Sequence, residues 1–190
     1  MAEIILEKNS AKINLSKGNK VNLTKKNKSL KNIDLCLGWI TRKDLDSSAV
    51  LRGKDNKVIK TVSFIHMKED GVVLHGDNLV GGKGDCETIS IYLDKINPKV
   101  CKISLFANIF GFFGTRATFA KVKDAYIRLV NIDNDKELCR YSLTEDISNF
   151  SACHFADIIK DELGDWSFVV VGTGLNGQIK DIEKYCNEGH

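Results

Sequence analysis

The chain has 190 residues and a formal net charge of +3 at pH 7, with 43% hydrophobic and 28% charged residues. These values are typical of one soluble globular domain with a sizeable core, and the charge is too small to indicate nucleic-acid binding. The segment 1–31 carries eight lysines against Glu3 and Glu7. We interpret it as a solvated face in which lysines protect sheet edges.

The cysteines predict reduced thiols. They stand at positions 36, 86, 101, 139, 153 and 186, without a CxxC pair or a His/Cys ligand spacing. This pattern argues against a zinc site, and most of these thiols are expected to be small core residues. With no secretory signal at the start and no apolar run of about 18 residues, the chain is expected to be cytoplasmic.

Short segments that alternate polar and apolar residues dominate the chain and predict β-strands. They are Ile33–Trp39, Ile89–Leu93, Cys101–Leu105 and Ala125–Leu129. Trp166–Val171 is predicted to be a strand buried on both faces, and further strands are predicted at the edge in Met1–Ser10, at Ser48–Leu51 and at Leu138–Tyr141. Asp133–Asp135 is predicted to be a hairpin loop, with ordinary loop residues rather than ligands. Many short strands at this spacing indicate a mainly β fold, a two-sheet β-sandwich with a few short helices.

Two helices are predicted near the C-terminus. One is Phe150–Lys160 with Ser148 as its N-cap, because Ala152, Phe155, Ala156 and Ile159 would share a stripe. The other is Gln178–Cys186, which follows the turn Gly174–Gly177. A single proline and the absence of a Ser/Gly-rich linker favour one compact unit.

The segment Gly76–Glu87 concentrates glycines and oxygen-bearing side chains. Five of the fifteen glycines fall between Gly71 and Gly84. The oxygen-bearing side chains in or beside this stretch are those of Asp77, Asn78, Asp85 and Glu87. Glycine lets backbone carbonyls turn inward, and carboxylate and amide oxygens suit calcium, which takes six to eight of them. The segment predicts a calcium-binding loop, although its spacing is not that of an EF-hand.

A second acidic motif, Asp44 and Asp46, precedes the predicted strand Ser48–Leu51, on one side of its start. Connections collect at the ends of a sandwich, so this motif can meet the glycine loop in space. Two like charges roughly 4 Å apart repel by about 1 kcal/mol in water and about 4 kcal/mol at an effective dielectric of 20. Such a cluster therefore favours a bound cation. The alternative, that Asp, Asn and Gly are simply common in loops, stays open.

Several segments, in order, resemble the TerD family of tellurite-resistance and stress-response proteins. They are Ile13–Gly18, Leu37–Trp39, Asp44–Ala49, Gly76–Leu79, Ala125–Val130, Arg140–Leu143, Trp166–Phe168 and Gly172–Gly174. The resemblance runs from about Lys12 to about Tyr185. It divides the chain into an N-terminal extension over 1–11 and a single TerD-like β-sandwich domain over 12–187.

The resemblance implies a calcium-binding β-sandwich from bacterial stress operons linked to resistance against tellurite, phage and colicins, and it carries no catalytic mechanism. By motif position, the metal ligands would be Asp44, Asp46, Asp77, Asn78, Asp85 and Glu87, with backbone carbonyls of the Gly81–Gly84 stretch, including Gly81 and Gly82. It implies one or two Ca²⁺ ions and a non-enzymatic binding or scaffold module. The expected partners are other stress-response or tellurite-resistance proteins, with the membrane surface as one place of action.

The loop departs from the family pattern at three positions. Val80 replaces a threonine, Gly82–Lys83 stands where an acidic residue is common, and Cys86 interrupts the terminal acidic triplet. Each lost carboxylate weakens calcium binding, because ligand charge helps to set affinity. The departures predict weaker binding or a single ion.

Two other classes of function are alternatives. One is a thiol-based protein that handles tellurite or redox equivalents; it needs reactive thiols in an electropositive setting, which the acidic surroundings of Cys86 do not offer. The other is a metal-dependent hydrolase in which Asp44, Asp46, Asp77 and Glu87 act as acid, base or magnesium ligands. No nucleophile motif such as GxSxG, a P-loop or HExxH accompanies those carboxylates.

Overall fold

The computed structural model describes residues 3–40, 45–76, 84–109, 117–143 and 147–190. Their strands are β1 (Ile4–Ile5), β2 (Ile13–Leu15), β3 (Lys20–Asn22), β4 (Asn32–Ile40), β5 (Leu45–Arg52), β6 (Val58–Val62), β7 (Lys68–Glu69), β8 (Val72–His75), β9 (Glu87–Tyr92), β10 (Lys102–Ile109), β11 (Lys123–Asn131), β12 (Lys136–Ser142), β13 (Ala152–Lys160) and β14 (Trp166–Leu175). One α-helix, α1 (Ile179–Asn187), follows them among these residues. Within these ranges, no helix has the length and apolarity needed to cross a membrane.

The strands form two seven-stranded sheets. Sheet A has the order β1-β3-β14-β13-β10-β5-β6, and sheet B has the order β2-β12-β11-β4-β9-β8-β7. Alternate residues of both sheets, such as Leu35, Ile89, Ile103 and Phe168, form the main buried cluster. The predicted mainly β, two-sheet architecture is confirmed. The expected edge strand near the start is also present, since β1 pairs in parallel with β3.

The prediction of a helix over Phe150–Lys160 was wrong, because this segment is strand β13 between β10 and β14. Its register slips between His154 and Ala156 against β14. The slip brings the adjacent residues Phe155 and Ala156 into the same core cluster. A bulge of this kind breaks the two-residue period of a strand and imitates a helical stripe.

The helix predicted over Gln178–Cys186 is confirmed as α1, and it packs on the outer face of sheet A. Its buried side chains are Ile182 and Cys186. They form a second, smaller apolar cluster with Val50, Phe106 and Ala152 of β5, β10 and β13. Sheet A is therefore covered on both faces at its centre, which explains why β5, β10 and β13 are buried almost throughout.

Candidate functional site

The start of β5 meets the start of β9 at one end of the sandwich. The backbone amide of Ser47 donates a hydrogen bond to Glu87 Oε2 over 2.6 Å. This amide belongs to the peptide that joins Asp46 to Ser47, so Glu87 of sheet B reaches the backbone next to Asp46. Asp46 is 4% exposed and Glu87 is 3% exposed. Burial of a charged carboxylate is costly, so each of them requires compensation by positive charge or hydrogen bonds.

Further oxygen atoms lie beside Asp46. Asn108 of β10 stands directly opposite Asp46 in the register, so their side chains share the outer face of sheet A. Ser48 lies two residues along β5 on the same face. Ser48 Oγ and Asn108 Oδ1 are buried and have no hydrogen-bond partner within the described part of the chain. This donor set consists of oxygen atoms only, which fits a hard cation such as calcium.

Sequence reasoning missed Ser48 and Asn108 as candidates. No local pattern marks Asn108, which lies within the apolar strand β10. Its position beside Asp46 follows from a long-range pairing between β5 and β10. Ser48 is predicted from the sequence only as the first residue of a strand and as part of a family motif.

Of the predicted metal ligands, Asp46, Asp85 and Glu87 fall within the described residues. The others lie outside the described residues: Asp44, Asp77, Asn78, Gly81 and Gly82. Across the described ranges, no three His, Cys, Asp or Glu side chains form a group that could hold a metal ion. Of the predicted ligands that the structure describes, Asp46 and Glu87 are thus buried at one end of the sandwich, and no third acidic side chain among the described residues joins them there.

Asp85 takes part in a different arrangement, on the outer face of sheet B. Its carboxylate accepts hydrogen bonds from Arg128 Nε at 2.9 Å and from the Tyr126 hydroxyl at 2.8 Å. Arg128 Nη2 binds the second carboxylate oxygen, which makes the pair bidentate. Burial raises the pKa of Asp85, but the hydrogen bonds from Arg128 and Tyr126 and the Arg128 charge outweigh it and leave the pKa below its ordinary value. Asp85 is therefore an ionised partner of Arg128 in this structure.

Gly38 makes room for the Tyr126 ring that reaches Asp85. A Cβ at position 38 would overlap the end of that ring. Gly38→Ala should displace Tyr126, break its bond to Asp85 and lower the free energy of unfolding by about 2 kcal/mol. Urea unfolding would measure the change. Gly53→Ala is the matched control, because its Cβ would come close to the flexible Asp55 carboxylate, at 3.0 Å, and would meet Ile59 and the Lys99 carbonyl at ordinary contact distances of 3.6 and 3.8 Å. Equal stabilities of the two variants would contradict the role of Gly38.

The six cysteines are all free thiols. Burial raises the pKa of Cys36 and of Cys139 to about 12 and that of Cys186 to about 11. These three thiols remain protonated at neutral pH, and the protonated form is a poor nucleophile and metal ligand. The structure thus gives no support to thiol chemistry at these three positions.

Comparison with known proteins identifies relatives along most of the chain. Residues 11–185 match the family described as TerD domain. The chain is 39% identical over 182 residues to tellurium resistance protein TerD of Serratia marcescens, covering 90% of this chain and 94% of that protein. It is 35% identical over 183 residues to general stress protein 16U of Bacillus subtilis, covering 90% and 94%.

A solved structure supports the fold. The crystal structure of a homologue of telluride resistance protein (TerD) from Streptomyces coelicolor A3(2) superposes with a TM-score of 0.69. The match covers 81% of this chain and 95% of that chain at 19% sequence identity. At this level of identity the likeness concerns the β architecture alone.

Proposed function

The chain belongs to the TerD family of tellurium-resistance and stress-response proteins, and from this premise we propose that it is a calcium-binding, non-enzymatic module. The observation that supports the proposal best is the burial of Asp46 and Glu87 at one end of the sandwich, where Glu87 accepts a hydrogen bond from the backbone amide next to Asp46. Asp46 and Glu87 would hold the ion through carboxylate oxygens. The predicted ligands Asp44, Asp77 and Asn78 would complete the site.

Calcium would supply positive charge where the two carboxylates are taken out of water. The two proposed ligands belong to different sheets, since Asp46 lies in β5 of sheet A and Glu87 lies in β9 of sheet B. A ligand shared by both strands would resist their separation. Calcium binding would therefore stabilise this end of the sandwich and fix the surface that it presents to a partner.

The proposal extends to partners and location. The module would act in the cytoplasm, where its free cysteines stay reduced. Its partners would be other stress-response or tellurite-resistance proteins, including proteins at the membrane surface. The names of the relatives, a tellurium resistance protein and a general stress protein, support this choice of partners.

Isothermal titration calorimetry with calcium, and separately with magnesium, tests the proposal. We expect calcium-selective binding, weakened roughly tenfold or more by Asp46→Asn because one ligand charge is lost (tenfold corresponds to about 1.4 kcal/mol). Asp135→Asn is the control, since Asp135 is an exposed turn residue at a φ of 54° that asparagine also tolerates. Absence of binding heat and of any shift in melting temperature at millimolar calcium would refute the proposed function.

A further inference from the structure

The side-chain amide of Asn108 has a defined orientation. Gln178 Nε2 donates to the carbonyl oxygen of Ile109 over 3.1 Å, so Gln178 Oε1 must face Asn108. Asn108 Nδ2 donates to that oxygen, also over 3.1 Å. A carbonyl can only accept a hydrogen bond, so the chain of donors and acceptors fixes both amides. Asn108 Oδ1 therefore points away from Gln178.

That oxygen lies on the face that carries Asp46. The two residues are directly opposite one another in neighbouring strands, which brings their Cβ atoms to about 4.5–5.5 Å. Asn108 is fully buried, and its Oδ1 has no hydrogen-bond partner among the residues that the structure describes. An amide oxygen and a carboxylate are both acceptors. The buried Asn108 Oδ1, an acceptor on the face that carries a carboxylate, needs a donor or a cation of its own.

The other side of Asn108 is connected to α1. Gln178 is the N-cap of α1, and it forms a reciprocal capping box with Asp181. Ile182 and Cys186 are the buried side chains of α1, and the Tyr185 ring also packs against sheet A. Polar contacts at the helix ends add to this apolar docking. Asn108 makes such a contact at the N-terminal end.

We propose that Asn108 Oδ1 is an additional oxygen ligand of the cation site, and that cation binding is thereby coupled to the docking of α1 on sheet A. The inference rests on the proposed calcium function and adds its regulation. A cation bound to Oδ1 holds the amide plane, so Nδ2 stays directed at Gln178. Without the cation, rotation of the Asn108 amide releases the N-cap. Coupling is reciprocal, so a partner that displaces α1 would weaken calcium binding by the same factor.

Alkylation of Cys186, read by peptide mass spectrometry, tests the coupling. Cys186 is on the buried face of α1 and reacts when the helix leaves the sheet, whereas Cys153 lies in the core between the sheets and reports global unfolding. We expect saturating calcium to slow the labelling of Cys186 relative to Cys153 by roughly tenfold, within the 5–150-fold range of typical couplings. The experiment uses the full chain, with calorimetry on the same samples.

The variant Gln178→Ser separates coupling from folding. Serine is a good N-cap, so α1 is retained, but its side chain is too short to reach Asn108. Gln178 is exposed, so its replacement leaves the core intact. We expect calcium to bind this variant with measurable heat and to leave the ratio of Cys186 to Cys153 labelling unchanged. Lys180→Ala, in the exposed first turn of α1, should behave as the native chain.

The outcomes distinguish the two proposals. Calcium binding without a change in relative Cys186 labelling of the native chain would overturn the coupling and leave the proposed function standing. Relative protection that persists in Gln178→Ser would also overturn it. Absence of binding heat would overturn the calcium function together with the inference. Asn108→Leu adds a direct test of the ligand, because it should weaken calcium binding roughly tenfold, and unchanged affinity would remove Asn108 from the site.

Discussion

Arg52→Met is expected to lower the free energy of unfolding by about 3–5 kcal/mol, because it removes a fully buried cation from hydrogen-bonded carbonyls. Arg52 is 0% exposed at the end of β5. Its Nε donates to the carbonyl of Asn56 at 3.0 Å, and its Nη2 donates to the carbonyl of Cys186 at 2.7 Å. Nη1 reaches Ser104 Oγ at 3.2 Å and the carbonyl of His190.

The guanidinium links the turn after β5 to the C-terminal end of α1. The free carbonyls of a helix end carry partial negative charge, which favours a cation there. Methionine has a similar length and fills the space, but it offers no donor. The half-buried carbonyl of Asn56 would then lose its Arg52 donor, the carbonyl of Cys186 would keep only backbone donors such as the amide of Gly189, and α1 would lose a buried polar contact at this end.

Urea unfolding followed by circular dichroism measures this loss of stability. Lys57→Met is the matched control: Lys57 Nζ donates to the carbonyl of Asn187 at the same helix end, over 2.7 Å, but from an exposed position. Exposed contacts of this kind contribute little, so the control should stay within about 1 kcal/mol of the native chain. If Arg52→Met were equally mild, the buried guanidinium would not be what holds α1 in place.

The sequence pattern identified most strands because sheet B and the edges of sheet A keep one face against the core. The strand Ile33–Trp39 and the hairpin around Asp133–Asp135 correspond directly to β4 and to the β11–β12 connection. The pattern failed at β13, which is buried on both faces and bulged at His154. The β13 sequence therefore shows neither an alternation of polar and apolar residues nor a polar face, which are the local signals of a half-buried strand.

The site was only partly predictable. The approach of the Asp46 segment to Glu87 followed from the rule that sandwich connections gather at the ends, and the Ser47–Glu87 hydrogen bond agrees with it. The partners of Asp85 did not follow, because Arg128 lies 43 residues away along the chain. Asn108 and Gln178 were equally hidden, since their 70-residue separation is closed only by the packing of α1 on sheet A.

The double variant Asp46→Asn, Glu87→Gln should be at least as stable as the native chain in chelator, but less stable than the native chain in calcium. In chelator, the variant should equal or exceed the native chain in stability, by up to about 4 kcal/mol, because neutral amides replace two buried charges. The glutamine oxygen introduced by Glu87→Gln would still accept the Ser47 amide hydrogen, so the local geometry is preserved. In calcium, the native chain should gain about 2.7 kcal/mol at a hundredfold excess over the dissociation constant, and the variant should gain nothing.

Thermal unfolding with calcium, magnesium and chelator would show whether the native chain is the more stable protein only when calcium is present. Asp135→Asn again serves as the control and should follow the native chain in every condition. A variant that is less stable than the native chain in both calcium and chelator, by the same amount, would mean that the two carboxylates serve the fold alone. If the native chain is the more stable protein only in calcium, burial of the two carboxylates destabilises the calcium-free fold and calcium offsets this loss. Such behaviour is expected of a site selected for binding rather than for stability.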